Sequence, residues 1–501
     1  MSTRSSRTYQ DAIEHLNSLQ SNAATLEAVR ASGGTLSSLA IPEMLEYLGR
    51  IGYRPEDLNA LNVLHITGTK GKGSTSAFTN SILQSARPDW KIGLYTSPHL
   101  VAVRERIRIN GSPLPEEEFT QFFFEVWDRL QQNTQRQHEN TSLMPGYFRF
   151  ITLLAFHTFL KLKVDATVLE VGVGGTYDST NVVPKPVVTG ITALGIDHVF
   201  VLGRTLEEIA WQKGGIYKEG VPALTVNQPE NGMKVLKERA EELKASEFVV
   251  VDPIPELASI KLGLAGDHQV QNATLAVHLA KYFLRSRGAL NEEALLSDTF
   301  KTGLEKTKWP GRCQTVVDPS HPKLSWYLDG AHTAESLDCC MRWFASPTAA
   351  LRSRDAAVLI FNCTSGRSGP SFLSAMHGTV GEQLKQNRSD ISPGTFFDRV
   401  IFCTNVTYAD GKFKGDLTAV AIAGDDLKQL RTQNELAGAW RSLLPHFPED
   451  KIHVLPSIEH AISVVRSLEN DGAEGVDVLV TGSLHLIGGV IEVAGLSEIA
   501  L

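Results

Sequence analysis

Nine short apolar runs recur along the chain, each followed by glycine or polar residues and most of them by a helix-like stretch. They are Val63–Ile66, Ile92–Tyr95, Ala166–Leu169, Val187–Leu194, Ala223–Val226, Trp326–Leu328, Ala357–Phe361, Val400–Phe402 and Val478–Val480. Runs this short, without clear apolar/polar alternation, read as strands buried on both faces. Between them, Phe119–Leu130, Asn231–Leu243 and Asn272–Leu284 read as helices. Strands alternating with helices predict an α/β fold with parallel sheets.

At about 150 residues per domain, a chain of 501 residues suggests two to four domains. The sequence KWPGR at Lys308–Arg312 breaks any helix immediately before a new set of strands. The boundary is therefore placed there, giving domains 1–308 and 309–501. The polar stretch from Gly378 to Pro393 reads as an exposed insertion in the second. A hydrophobic content of 42% supplies sizeable cores, so neither disulfides nor a structural metal is needed. The cysteines Cys313, Cys339, Cys340, Cys363 and Cys403 are odd in number and form no CxxC pair, which disfavours both a zinc site and a secreted disulfide framework.

The net charge of -8 argues against nucleic acid as a partner while leaving room for a local basic pocket. The longest apolar stretch, Phe150–Leu160, is about half a membrane span and carries His157, so no membrane insertion is expected. The start, MSTRSSRTYQ, lacks the apolar core of a secretory signal. Its Arg, its Ser and its lack of acid before Asp11 are compatible with a mitochondrial leader.

The strongest local signal is LHITGTKGKGST at Leu64–Thr75, a buried strand running into a Gly-rich turn and then a helix. Glycines let backbone N–H groups turn around an anion, the helix N-terminus adds positive potential, and Lys72 can reach outer phosphates. A hydroxyl at Ser74 can ligate magnesium. The spacing departs from GxxxxGK[ST]: Gly68 stands too close to Gly71–Lys72, and Gly73 separates Lys72 from Ser74. The plain alternative is a Gly-rich strand–helix turn with incidental lysines.

In a doubly wound sheet, ligands bind beyond the carboxyl ends of the strands. Ser97, Pro98 and His99 follow one run; Glu170, Gly172, Gly174, Gly175, Asp178, Thr180 and Asn181 follow another; Asp197 and His198 follow a third. If those strands are neighbours, a hydroxyl, a carboxylate and an imidazole converge on an oxygen-rich magnesium site. Each also has an ordinary reading: Ser97 as a turn residue, Glu170 as a cap, His198 as a core histidine. Lys213, placed at the end of a helix begun near Leu206, has the ordinary reading of a solvated C-terminal lysine. In the second half, Asp329, Gly330 and His332 follow one run and Thr481, Gly482 and Ser483 another, which suggests that this half too contributes to a ligand cleft, one that Arg312, beside the boundary, can reach.

GTKGKGS at Gly68–Ser74, YTSPHL at Tyr95–Leu100 and LEVGVGG with DSTN at Leu169–Asn181 together resemble the folylpolyglutamate synthases, the folate branch of the Mur ligase superfamily. LGIDH at Leu194–His198, AWQKGGI at Ala210–Ile216, HQxxNA at His268–Ala273, WPGR at Trp309–Arg312, LDGAH at Leu328–His332 and TGSLHLIGG at Thr481–Gly489 extend the likeness in order along the chain. The resemblance implies an N-terminal P-loop ATPase domain with a mainly parallel sheet and a smaller C-terminal Rossmann-like α/β domain.

By the same resemblance, Gly68, Thr69, Gly71, Lys72, Gly73 and Ser74 hold the ATP phosphates, and Asn272, Arg312, Asp329 and His332 match ATP-contacting positions. Ser74, Ser97, Glu170 and His198 match magnesium ligands, with a monovalent cation such as K+ as a further cofactor. Lys213 matches a lysine carried as a carbamate. The implied reaction joins free L-glutamate to the γ-carboxyl of a folyl-glutamate, retaining folates for one-carbon metabolism. ATP phosphorylates the carboxylate, the amine attacks the acyl phosphate, and Lys72 offsets charge on the transferring group. His332 is a candidate to accept the amine proton. The resemblance further implies small-molecule substrates only, a monomer, and a cytoplasmic location with a mitochondrial form. The alternatives are a dihydrofolate synthase or bifunctional enzyme, and, more remotely, a nucleotide-binding protein without ligase activity.

Overall fold

The computed structural model describes residues 7–20, 39–138, 141–290, 296–346, 356–363, 368–411, 416, 429–470 and 472–501. The first six residues of the leader-like start lie outside them. The chain falls into two compact units. One holds the chain to His99, Arg104–Gly263 and Gln269–Lys308; the other holds Leu100–Val103, Leu264–His268 and Trp309–Leu501.

The first unit carries an eight-stranded sheet made of β1 (Val63–Thr67), β2 (Ile92–Tyr95), β3 (Ile107–Ile109), β4 (Ser112–Pro113), β5 (Ala166–Glu170), β6 (Val188–Ile191), β7 (Ala223–Thr225) and β8 (Phe248–Val250), in the order β4-β3-β2-β5-β1-β6-β7-β8. All neighbouring pairs are parallel except those made by β3 and β4. From β1 the chain first builds β2 and β5 on one side, then continues through β6, β7 and β8 on the other. The carboxyl end of β1 is thus a topological switch point, the usual place for a ligand in such sheets. The apolar stretch Phe150–Leu160 lies in the helix Tyr147–Leu162, almost wholly buried. Among the described residues, no helix is long and apolar enough to cross a membrane.

The second unit has six strands, β9 (Gln314–Val317), β10 (Leu324–Leu328), β11 (Ala356–Phe361), β12 (Arg399–Cys403), β13 (Ile452–Leu455) and β14 (Val476–Thr481), in the order β13-β12-β11-β14-β10-β9. Only β9 is antiparallel. Successive side chains of these strands point to opposite faces and feed two separate cores. Trp326, Leu328, Val358, Ile360, Val478 and Val480 enter one; Tyr327, Leu359, Phe361 and Leu479 enter the other. Both faces are covered, which is why these strands are apolar without alternation.

One expectation fails here. Gly378–Pro393 is not an exposed insertion, because its first part completes the helix Gly369–Gln386. The polar residues form that helix's outer face, while Met376, Val380 and Leu384, spaced four apart, pack into the core of the second unit.

Candidate active site

The turn after β1 is shaped by two glycines. Gly68 has φ +152°, and a Cβ there would lie 1.8 Å from Thr192 Oγ1. Gly71, at φ +86°, caps the helix Lys72–Ala86 in the left-handed region, and its Cβ would lie 2.1 Å from Asn272 Oδ1. The first intrahelical bond runs from Thr75 N to Gly71 O at 2.8 Å, and no side chain caps the helix. The amides of Lys72, Gly73 and Ser74 therefore face outward at a positive helix end, an arrangement suited to phosphate.

Thr69 and Lys70 do something else. Their amides donate to Ala193 O at 2.9 and 3.1 Å, and Thr69 Oγ1 bonds both Gly195 O and Gly195 N. Thr192 Oγ1 donates to Lys70 O at 2.6 Å. The front of the loop is thus pinned to the segment after β6, and its rear supplies the anion-facing amides.

Two lysines converge on one acceptor. Lys72 Nζ donates to Gly68 O at 3.0 Å, and Lys213 Nζ donates to the same oxygen at 2.8 Å. Lys213 ends the helix Leu206–Gly214, yet it is only 3% exposed, so the reading of a solvated lysine does not hold. Burial and then the nearby Lys72 charge push its amine well below the ordinary lysine range, with Asp197 and Asp178 acting the other way.

Because β2, β5, β1 and β6 are neighbours, their ends meet. Ser97 N donates to the buried Glu170 carboxylate at 3.2 Å. Ser74 Oγ accepts from Gln269 Nε2 at 3.3 Å, and Gln269 Oε1 accepts from Asn272 Nδ2 at 2.9 Å. His198 is exposed rather than a core histidine; it stands at φ +51° before the short helix Val199–Leu202, with its amide on Asp197 Oδ1. Among the described residues, no three His, Cys, Asp or Glu side chains cluster as a metal site. What is present is a carboxylate and serine hydroxyls. That set fits magnesium, which takes few protein oxygens and fills its remaining positions with water and phosphate.

Beneath the loop, His65 Nε2 lies 2.9 Å from Thr180 Oγ1, which donates to Asp178 Oδ1 at 2.6 Å. Burial holds His65 neutral, with its pKa near 3, and raises the Asp178 carboxyl above its usual range. Asp178 also accepts from the amides of Val173 and Thr180, so it braces the glycine-rich turn after β5.

In the second unit, Asp329 follows β10, and both carboxylate oxygens are engaged, by Cys313 N at 2.7 Å and Ala331 N at 2.9 Å. Arg312 Nη1 donates to Gly311 O, and His332 Nδ1 donates to Gly330 O, each at 2.9 Å. That bond leaves His332 Nε2 as the basic nitrogen.

No protein-family model matches the chain. Among curated proteins, folylpolyglutamate synthase of Saccharomyces cerevisiae strain AWRI796 is 46% identical over 499 residues, covering 97% of this chain and 87% of the relative. The same enzyme of strain S288c is 45% identical over the same shares. The chain belongs to the folylpolyglutamate synthase family. Solved structures agree on the fold. Mycobacterium tuberculosis folylpolyglutamate synthase complexed with ADP has a TM-score of 0.71 at 21% identity, covering 97% of this chain and 99% of that one. Escherichia coli FolC, in complex with DHPP and ADP, has a TM-score of 0.64 at 21% identity, covering 99% and 100%.

For this folylpolyglutamate synthase family member, sequence reasoning missed Gln269 as a site residue. Its signal was present: Gln269 and Asn272 are three apart, hence on one helix face. Thr192, which closes the loop, and the buried Arg106 carried no comparable signal.

Proposed function

We propose that this chain is an ATP-dependent, ADP-forming ligase that adds L-glutamate to the γ-carboxyl of folyl-glutamates. The observation that carries the reading is the convergence of Lys72 and Lys213 on Gly68 O, beside uncapped helix amides and the Ser97–Glu170 pair. An amide bond cannot form directly from a carboxylate, a poor electrophile. Transfer of the γ-phosphoryl of ATP gives an acyl phosphate, the glutamate amine attacks its carbonyl carbon, and phosphate leaves.

The amides of Lys72, Gly73 and Ser74 hold the transferring phosphoryl group, and the Lys72 ammonium offsets its charge. Ser74, Ser97, Glu170 and His198 are the residues proposed to hold magnesium, which when bound neutralises phosphate oxygens. Lys213 is proposed to carry a carbamate. Its depressed amine supports this, since carbon dioxide reacts with the neutral form. Asn272, Arg312 and Asp329 are proposed nucleotide contacts, and His332 Nε2 a proposed acceptor for the amine proton.

The test is to incubate purified protein with ATP, tetrahydrofolate monoglutamate and labelled glutamate, and to separate products by chain length. Lengthened folates are expected with wild type. Lys72→Ala should fold normally and turn over at least about 100-fold more slowly. ATP hydrolysis without lengthened folate would refute the ligase reading. Dihydropteroate as acceptor in the same assay tests for a dihydrofolate synthase activity.

A further inference from the structure

Four arginines of the described chain are buried: Arg50, Arg106, Arg108 and Arg239. Three have oxygen acceptors. Arg50 donates to Asn133 O and Leu130 O, Arg108 to Glu105 O and Gly111 O, and Arg239 to the Glu242 carboxylate. Arg106 is different. It is only 7% exposed, and among the described residues its one side-chain hydrogen bond runs from Nε to His99 Nδ1 at 2.9 Å. Its two Nη groups, four N–H donors in a planar fork, have no hydrogen-bonded partner and no carboxylate among the described residues. The fork keeps a little exposure, so its Nη edge is open to an incoming anion, which a guanidinium binds through paired N–H groups.

The fork is also held still. His99 fixes the Nε edge, and the half-buried Tyr147 ring lies 5.6 Å from the guanidinium carbon. Arg106 immediately precedes β3, which pairs antiparallel with β2, and its carbonyl accepts from Thr96 N at 3.1 Å. The next residue after Thr96 is Ser97, whose amide meets Glu170. The backbone that carries the fork therefore lies one residue step from the Ser97–Glu170 pair.

We propose that Arg106 holds the α-carboxylate of the acceptor's terminal glutamate, and so presents the γ-carboxyl beside Ser97 and Glu170. The inference rests on the ligase reading. A glutamate residue carries its two carboxyls at opposite ends of one short chain, so fixing the first orients the second. The planar fork fits a carboxylate bidentately, which a lysine would not do. Tyr147 lends an aromatic wall, and the neighbouring Phe148 packs over Gly172, where a Cβ would lie 2.4 Å from its ring. Arg106 is thus a residue that recognises a chain ending in a free α-carboxylate and reads nothing of the pteridine.

The test compares folyl-glutamate with its analogue bearing an amide in place of the terminal α-carboxylate. Wild type should show a KM for the amide about 30- to 100-fold higher. Arg106→Gln should raise the KM for folyl-glutamate by a similar factor, keep the KM for ATP and glutamate within about twofold, and no longer distinguish acid from amide. Arg106→Lys should recover part of the loss. Equal use of acid and amide by wild type would overturn the proposal, and that comparison needs no variant to fold. Continued discrimination by Arg106→Gln, or a rise confined to the glutamate KM, would overturn it too, the latter by assigning the fork to the incoming amino acid. Failure of wild type to lengthen folyl-glutamate at all would instead refute the ligase reading.

Discussion

Replacing Gly71 by alanine should damage the site through a measurable and separable strain. The residue sits at φ +86°, where an L side chain costs about 1–2 kcal/mol. The added methyl would also lie 2.1 Å from Asn272 Oδ1, so that carboxamide must turn away. Turning it breaks the 2.9 Å bond from Asn272 Nδ2 to Gln269 Oε1, worth about 1 kcal/mol. Against this, alanine stiffens the unfolded chain and returns about 0.5 kcal/mol. The net loss should be about 1.5–2.5 kcal/mol, below the total stability of an ordinary domain, so the variant still folds. Urea unfolding reads the loss, and the KM for ATP reads the disturbed loop. The decisive arm is the double variant with Asn272→Ala. It removes the clash and keeps the backbone strain, so Gly71→Ala should then cost about 1 kcal/mol less than it does alone. The same cost on both backgrounds, or a single variant as stable as wild type, would show that Asn272 does not restrict this turn.

Glu170→Gln should lower turnover far more than ATP binding, with partial recovery at raised magnesium; unchanged turnover would remove Glu170 from the metal site. Lys213→Ala should lose activity and regain a little with formate or acetate, which supply the carboxylate of a carbamate; full activity in the alanine variant would exclude the carbamate. Acid should destabilise the first unit through His157, which donates to Glu125 from Nε2 and accepts from Tyr53 at Nδ1. Burial lowers its pKa from 6.5 to about 4, so between those values the unfolded chain binds the extra proton and stability falls as pH falls. The loss is at most about 3 kcal/mol, and His157→Gln should flatten the unfolding profile in that window; an unchanged acid limb would refute the assignment.

The apolar runs marked nine strands because both faces of those strands are covered, and full burial leaves an unmistakable pattern in the chain. The strands that went unread are the short or peripheral ones. β8, β9 and β13 are partly exposed, β9 and β13 mix polar with apolar residues, and β3 and β4 are three and two residues long. The same lack of contrast made Gly378–Pro393 look like an insertion, although its first part lies in the helix Gly369–Gln386, one face of which is core. Ser97, Glu170 and Lys213 were legible because strand ends and helix ends are marked locally. That Ser97 meets Glu170 depended on strand order, which no local stretch encodes. The contact from Gln269 to Ser74 spans two distant segments, and Arg106 is distinguished by Nη groups without a hydrogen-bonded partner among the described residues, a property that appears only when the neighbours are in place.

Lys213 is buried at the end of its helix. A buried ammonium ordinarily finds a carboxylate, yet here the fold aims it at a carbonyl already bonded by Lys72. One partial negative charge cannot balance two full positive ones, so the pair's proximity and burial work against holding both protons. The lysine deeper in the protein is the one whose proton affinity falls. Two events relieve the conflict: arrival of phosphate, which satisfies Lys72, or conversion of Lys213 to an anion, which then pairs with Lys72 or a metal. Both belong to a phosphoryl-transfer site, and neither would be needed by a turn that only joined a strand to a helix. The local instability is a reason to assign chemistry here, since a purely structural loop would gain stability by burying an apolar side chain in place of Lys213.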